Sequence, residues 1–259
     1  MDVSLKIGVI GIGNMGGAIA HALVKNGLTP NNLWIADINS TVTNEFVKAH
    51  NGVHSASSHE LVSAVDVIIL AVKPWLVETV LSEFSKQLSD SQLLISIAAG
   101  VEFETLRKKL PAIPLFRVIP NTAITINEGM SFIAASKATE NQLKLVVDLF
   151  ESMGKTMVIN ETLMTAATSL SSCGIAYALR YLRAASEGGV ELGFTAPMAH
   201  KIVAQTMIGA AQLILQNDSN PEEEIDKVCT PGGWTIQGLN AMEEAGFTNA
   251  VIKGLLKNR

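Results

Sequence analysis

Along the first 160 residues, short β-branched and aliphatic runs alternate with longer stretches whose apolar positions recur every three or four residues. The short runs predict strands at Lys6–Ile10, Leu33–Ala36, Val67–Val72, Leu93–Ile97, Leu115–Val118, Ser131–Ala134 and Thr156–Ile159. The longer stretches predict helices at Met15–Asn26, Val42–His50, Trp75–Leu88, Glu102–Leu110 and Glu140–Met153. Strands and helices in alternation imply an α/β, doubly wound and mainly parallel sheet.

Past about Asn160 the strand signal stops. Glu161–Glu191, Pro197–Gln216, Glu222–Val228, Trp234–Glu244 and Asn249–Lys257 all read as helices, with Thr195 and Pro197 as a start signal and Gly193 as a stop. This divides the chain into a dinucleotide-binding domain, 1–160, and an all-helical domain, 161–259. The stretch Leu170–Tyr181 is apolar on nearly every face, as in a helix buried all round. A helical domain of about a hundred residues has little room to enclose it, so a second subunit is expected to cover it.

Composition narrows the class. Hydrophobic residues make up 48% and charged residues 17%, which argues against disorder. Net charge is −5 and no Lys/Arg run stands out, so a nucleic-acid partner is not expected. The start, Met1–Ile10, carries Asp2, lacks a basic leader and does not read as a signal peptide. No run of about 18 uncharged apolar residues suggests a membrane span. Cys173 and Cys229 fit no metal spacing and are expected to be reduced, in a cytoplasmic protein.

The strongest local signal follows the first strand. Gly11-Ile12-Gly13-Asn14-Met15-Gly16 is G-x-G-x-x-G between a strand and a helix. Gly11 suits a tight turn, Gly13 lets a pyrophosphate approach the backbone, and Gly16 lets helix pack on strand. The helix N-terminus then offers free N–H groups to the phosphates. Asp37 ends the second strand 21 residues beyond Gly16, where an acid can bind ribose hydroxyls. Ala71-Val72-Lys73-Pro74 ends another strand, in a loop where such sheets bind ligands. Lys73 there reads equally as a ribose contact or as a solvated lysine. In the helical part, Thr230-Pro231-Gly232-Gly233-Trp234-Thr235 precedes a helix. Its N–H groups could hold a carboxylate, although spacing alone favours an ordinary helix cap. G-x-S-x-G, H-E-x-x-H and Cys/His clusters are all missing, so the chemistry would fall to a cofactor.

Taken together these motifs resemble the pyrroline-5-carboxylate reductase family, over almost the whole chain. Ala98-Ala99-Gly100 and Arg117-Val118-Ile119-Pro120-Asn121-Thr122 look like its cofactor-side segments, and Gly238-Leu239 like the continuation of its substrate loop. The resemblance implies reduction of a small cyclic imine acid, 1-pyrroline-5-carboxylate, to proline with NADH or NADPH. It implies cofactor contacts from Gly11 to Gly16 and from Asp37, Ser58, Ala71–Pro74, Ala98, Ala99 and Asn121. It implies a substrate carboxylate held at Thr230–Thr235, Thr235 near the ring nitrogen as the catalytic hydroxyl, and homodimers that often build decamers. NADPH-using relatives often carry a small polar residue and an arginine after the second strand; Asp37-Ile38 here points to NADH instead. The chain also departs from the family. Ser171-Ser172-Cys173-Gly174-Ile175-Ala176-Tyr177 stands where Ser-Gly-Ser-Gly-Pro-Ala-Tyr is usual, Thr230 where serine is common, and Trp234 at a usually small position.

Two other readings compete. A β-hydroxyacid dehydrogenase needs a central-helix lysine, and none lies between Asn160 and His200. A nucleotide-binding sensor without catalysis is motivated by the changes at Ser172, Cys173 and Ile175.

Overall fold

The computed structural model describes residues 5–257. Met1 and Asp2, on which the signal-peptide expectation rested, lie outside the described residues. The chain divides into two compact units between Ser172 and Cys173. That boundary falls twelve residues past the change of pattern near Asn160, because the first helical turns after the sheet still pack with it: Met164 and Ala167 are buried in its core.

The N-terminal unit holds one eight-stranded sheet in the order β3-β2-β1-β4-β5-β6-β7-β8. In chain order the strands are β1 (Ile7–Ile10), β2 (Leu33–Ala36), β3 (His54–Ser55), β4 (Val67–Leu70), β5 (Leu93–Ser96), β6 (Leu115–Ile119), β7 (Gly129–Ser136) and β8 (Gly154–Val158). All neighbours are parallel except β6 and β7. The helices between them are α1 (Asn14–Lys25), α2 (Ser40–Ala49), α3 (Ser58–Ala64), α4 (Val77–Phe84), α5 (Phe103–Arg107) and α6 (Glu140–Glu151).

The central strands β1 and β4 carry no polar side chain because both faces are covered, and β5 and β6 carry one each, Ser96 and Arg117. Alternation survives inside them: Val67 and Ile69 of β4 join the core with Ile19 and Leu23 of α1, whereas Ile68 and Leu70 join Leu61 of α3 and Leu81 of α4. From β1 the chain runs outward to β2 and later crosses back to β4, so β1 and β4 mark the switch point of the sheet. Ligands of such sheets bind there, at the carboxyl ends of the strands.

All seven expected strands are present: Leu33–Ala36 is unchanged and the ends of the others are shifted by no more than two residues. Two elements went unread, β3 and α3. β3 has two residues, too few for a period. α3 is announced by Ser57-Ser58-His59-Glu60, a capping box in which Ser57 Oγ accepts the Glu60 N–H and Glu60 returns the bond to the Ser57 N–H. The expected helix at Trp75–Leu88 is three pieces: α4 between single 3₁₀ turns at Pro74–Leu76 and Ser85–Gln87.

The expected helix Glu161–Glu191 is also broken. A 3₁₀ turn (Glu161–Leu163), α7 (Met164–Ala167) and a π turn (Thr168–Ser172) precede α8 (Gly174–Glu191). Side chains stitch the π turn to the end of β6: Asn121 Nδ2 donates to Ser171 Oγ at 3.1 Å, and Ser172 Oγ to the Pro120 carbonyl at 2.9 Å. The C-terminal unit continues with α9 (Ala196–Asn217), α10 (Pro221–Val228), α11 (Trp234–Glu244) and α12 (Phe247–Leu256). Among its described residues only Ser186 and Ala199 are buried. Leu179, Tyr181, Leu192, Ile208 and Leu215 stand exposed. Such a helical unit has an apolar surface and no enclosed core of its own in the single chain. No described helix is long and apolar enough to cross a membrane.

At the surface of the N-terminal unit, His21 of α1 and His50 at the end of α2 share an N···N contact of 2.6 Å beside Phe46. Burial first, and the neighbouring His50 second, hold the His21 imidazole below its ordinary value of 6.5. The folded state therefore favours neutral His21, while the unfolded chain takes up a proton near 6.5. The stabilisation is present above that pH and is lost as pH falls toward the lower folded value. Urea midpoints should drop between pH 7.5 and pH 5.5, and His21→Asn should shrink that drop; an unchanged drop would remove the pair as its source.

Candidate active site

A cleft of about 630 Å³ opens at the carboxyl ends of the strands around the switch point. Its wall brings together most of the residues the sequence nominated. The turn after β1 contributes Gly11, Gly13, Asn14 and Met15; β2 ends in Asp37; α3 begins with Ser58. Ala71, Val72, Lys73 and Pro74 follow β4, and Ala98 and Ala99 follow β5. The sequence missed Ala56, Ser57, Leu76, Val80, Glu83 and Ile97 on the same wall. The capping box at Ser57 was the signal that could have placed α3 beside Ser58.

Three of the residues nominated for the cofactor are not on the wall. Gly16 stands behind it, where α1 leaves the turn: a Cβ there would overlap the Gly11 carbonyl oxygen. Ile12 is buried and acts through its backbone. Asn121, only 6% exposed, uses its carboxamide inside the fold: besides Ser171 it bonds the N–H of Ala123 at 3.2 Å.

The turn itself fits a dinucleotide pyrophosphate. Gly11 takes φ +97°, a backbone region that favours glycine, with Ala71 packed against it. Gly13 begins α1, no side chain caps that helix, and a Cβ on Gly13 would meet nothing within 4 Å. The first-turn N–H groups of α1 and the open space over Gly13 are what a phosphate needs.

Asp37 is half-buried and tied down. Its Oδ2 accepts the Ile12 N–H at 2.7 Å and its Oδ1 accepts the Asn39 N–H at 2.9 Å. The cap of α2 is Asn39, not Asp37. The carboxylate is thereby fixed between the phosphate turn and the end of β2, and each oxygen keeps a lone pair for a ribose hydroxyl. Lys73 is exposed and is the one basic residue on the cleft wall among the described residues.

The second nominated loop lies in the C-terminal unit. Thr230, Pro231, Gly232 and Gly233 form a turn closed by Gly233 N–H donating to the Thr230 carbonyl at 2.9 Å. Proline at the second position and glycine with φ +71° at the third are the requirements of a type II turn. Gln237 Nε2 donates to the Gly232 carbonyl at 3.0 Å and braces it. Gly233 then starts α11, with no side-chain cap. The first-turn N–H groups of Trp234 and Thr235 remain for an anion, beside the exposed Thr235 hydroxyl and the 91%-exposed Trp234. Among the described residues no group of three or more His, Cys, Asp or Glu could hold a metal ion.

Residues 161–258 match the family model described as pyrroline-5-carboxylate reductase dimerisation, and residues 6–100 that of NADP oxidoreductase, coenzyme F420-dependent. A pyrroline-5-carboxylate reductase of Methanosarcina acetivorans is 38% identical, over 96% of this chain and 94% of its own. Pyrroline-5-carboxylate reductase 1 of Dictyostelium discoideum is 37% identical over 96% of this chain, which spans about half (48%) of that relative's length. Among solved structures, the Plasmodium falciparum pyrroline carboxylate reductase with NADP bound superposes with a TM-score of 0.90 at 28% identity, covering 99% of this chain and 96% of the other.

Two glycines of the turn should separate folding from binding. Gly13→Ala has open space for its methyl group, so the melting temperature should hold within about 2 °C while dinucleotide affinity falls about tenfold or more. Gly16→Ala forces α1 off the turn and should lower both. Calorimetric titration and thermal melts of the two variants check this; tight binding by Gly13→Ala would contradict the assignment.

Proposed function

The chain belongs to the pyrroline-5-carboxylate reductase family, and we propose that it reduces 1-pyrroline-5-carboxylate to L-proline with NADH or NADPH. One observation carries the reading. Among the described residues three helices have glycine at the N-cap and no side-chain cap, α1, α11 and α12, and the first two are the ones where the family's motifs place the two anionic ligands. The first suits a pyrophosphate and the second a carboxylate.

Gly11, Gly13 and the start of α1 would hold the pyrophosphate, Asp37 the adenosine ribose, and Ala98 and Ala99 the nicotinamide side. When bound, the reduced nicotinamide supplies a hydride. The N–H groups at the start of α11 orient the substrate by its carboxylate. A protonated imine is already electrophilic at C5, so the protein need not supply a strong acid. Hydride addition there leaves the nitrogen as an amine, and the Thr235 hydroxyl hydrogen-bonds that nitrogen. The exposed apolar faces of α8, α9 and α12 support assembly as a homodimer or a larger multiple such as a decamer. Cys173 and Cys229, both free, suit a cytoplasmic setting.

Turnover of the purified protein should appear with 1-pyrroline-5-carboxylate and be negligible with a 3-hydroxyacid. Removing the hydroxyl in Thr235→Ala should lower kcat/KM about ten- to a hundredfold, or ~1.4–2.7 kcal/mol. Full activity in that variant would take Thr235 out of the site.

Cofactor preference is where this chain's own residues and its relatives point apart. The relative from Plasmodium holds NADP, whereas here a fixed carboxylate at Asp37 and the exposed, uncharged Ile38 occupy the ribose end. Like charges about 4 Å apart repel by roughly 4 kcal/mol at an effective dielectric near 20. Screening by water and salt reduces that, leaving at least about a tenfold preference for NADH in kcat/KM. Asp37→Asn keeps an acceptor for the Ile12 N–H and removes the charge, so the ratio should move toward unity. A wild-type preference for NADPH would overturn the role of Asp37.

A further inference from the structure

Glu161 lies outside the cleft, yet one of its carboxylate oxygens holds a part of the cleft wall. Its Oε1 accepts the Phe103 backbone N–H at 2.6 Å and Nη1 of Arg117 at 2.7 Å. Phe103 opens α5 and ends the loop that leaves β5, whose Ile97, Ala98 and Ala99 line the cleft. Glu102, at the N-cap of α5, offers no side-chain bond, so the far end of this loop is anchored by Glu161. Arg117 sits on β6 and is only 4% exposed. It is held rigidly by the sheet and in turn fixes the carboxylate.

Which part of a ligand this loop meets follows from the strand order. Asp37 ends β2 and Ala98 follows β5; between them lie β1 and β4. Three strand spacings of about 4.8 Å put the two ends of the cleft roughly 14 Å apart. That is room for the two halves of a dinucleotide. With the adenosine ribose at Asp37, the loop after β5 belongs to the nicotinamide half.

We propose that Glu161 is a positioning residue that holds the Ala98–Val101 loop against the nicotinamide half of the cofactor. This rests on the reading of the cleft as a dinucleotide site. A purely structural role predicts something different: a buried arginine left unpaired costs stability and affects every ligand alike. The proposed role affects only ligands that carry the nicotinamide.

The test is calorimetric titration of the full chain with NADH and with ADP-ribose, which has the adenosine half but no nicotinamide. Glu161→Ala should weaken NADH about tenfold and leave ADP-ribose within about twofold. Glu161→Gln keeps an acceptor for the Phe103 N–H and should restore NADH binding, although it no longer neutralises Arg117 and melts lower. If Glu161→Ala does not fold, Glu161→Asp replaces it: still charged, but one methylene short of Phe103, it should show the same selective loss. Equal weakening of both ligands, unchanged NADH affinity, or no rescue by glutamine would each overturn the proposal. Wild type that binds neither ligand would instead overturn the dinucleotide reading, and this inference with it.

Discussion

The approach of α1 to the end of β1 is the constraint on which the N-terminal unit's binding surface depends. The helix begins where the strand stops, and at Gly16 it lies so close to the turn that even a methyl group would strike the Gly11 carbonyl. This closeness brings the first-turn N–H groups of α1 over the carboxyl ends of β1 and β4. Asp37 locks the same turn from the other side through the Ile12 N–H. The glycines and the acid thus form one assembly. Truncating Asp37 to alanine would change the electrostatics of the proposed ribose end and also release a bond that shapes the phosphate turn.

The C-terminal unit obeys a different constraint. Its helices carry many large apolar side chains, yet among the described residues only Ser186 and Ala199 are buried. Conformational entropy opposes ordering each of those residues, and burial of apolar surface is the main term that offsets it. A unit with so little burial draws its stability from surface it can cover elsewhere. The helical unit of a second copy presents the same apolar faces, and a two-fold axis lets equal patches cover one another. The apolar stretch Leu170–Tyr181 points to this in the sequence itself, because a helical domain of this size has little room to enclose a helix on every side.

Much of the sheet and most of the cleft were legible in the sequence, for local physical reasons. Strands buried on both faces announce themselves as unbroken aliphatic runs, and a glycine-rich turn followed by a helix has few other uses. What stayed hidden depends on long-range contact. Asn121 reads as a cofactor residue by its motif, but the fold brings Ser171 within reach and its carboxamide is used there. Glu161 lies 58 residues from Phe103 and 44 from Arg117, so no periodicity could link the three. The π turn at Thr168–Ser172 was read as ordinary helix, because the serine bonds that stitch it to Pro120 and Asn121 are also distant in sequence.

Helix caps tie these strands of argument together. Asn39, Ser57, Thr139 and Asn220 each accept a first-turn N–H at the start of α2, α3, α6 and α10. A side-chain cap of this kind contributes about 1 kcal/mol relative to alanine. At α1 and α11 the chain has glycine instead and forgoes that bond. The unbonded N–H groups are then free to be satisfied by an external anion, which would act as the missing cap. Binding and local stability are linked by this arrangement: whatever occupies either site also completes the end of a helix. The two loops would accordingly be at their most ordered when both ligands are present, as the proposed hydride transfer requires.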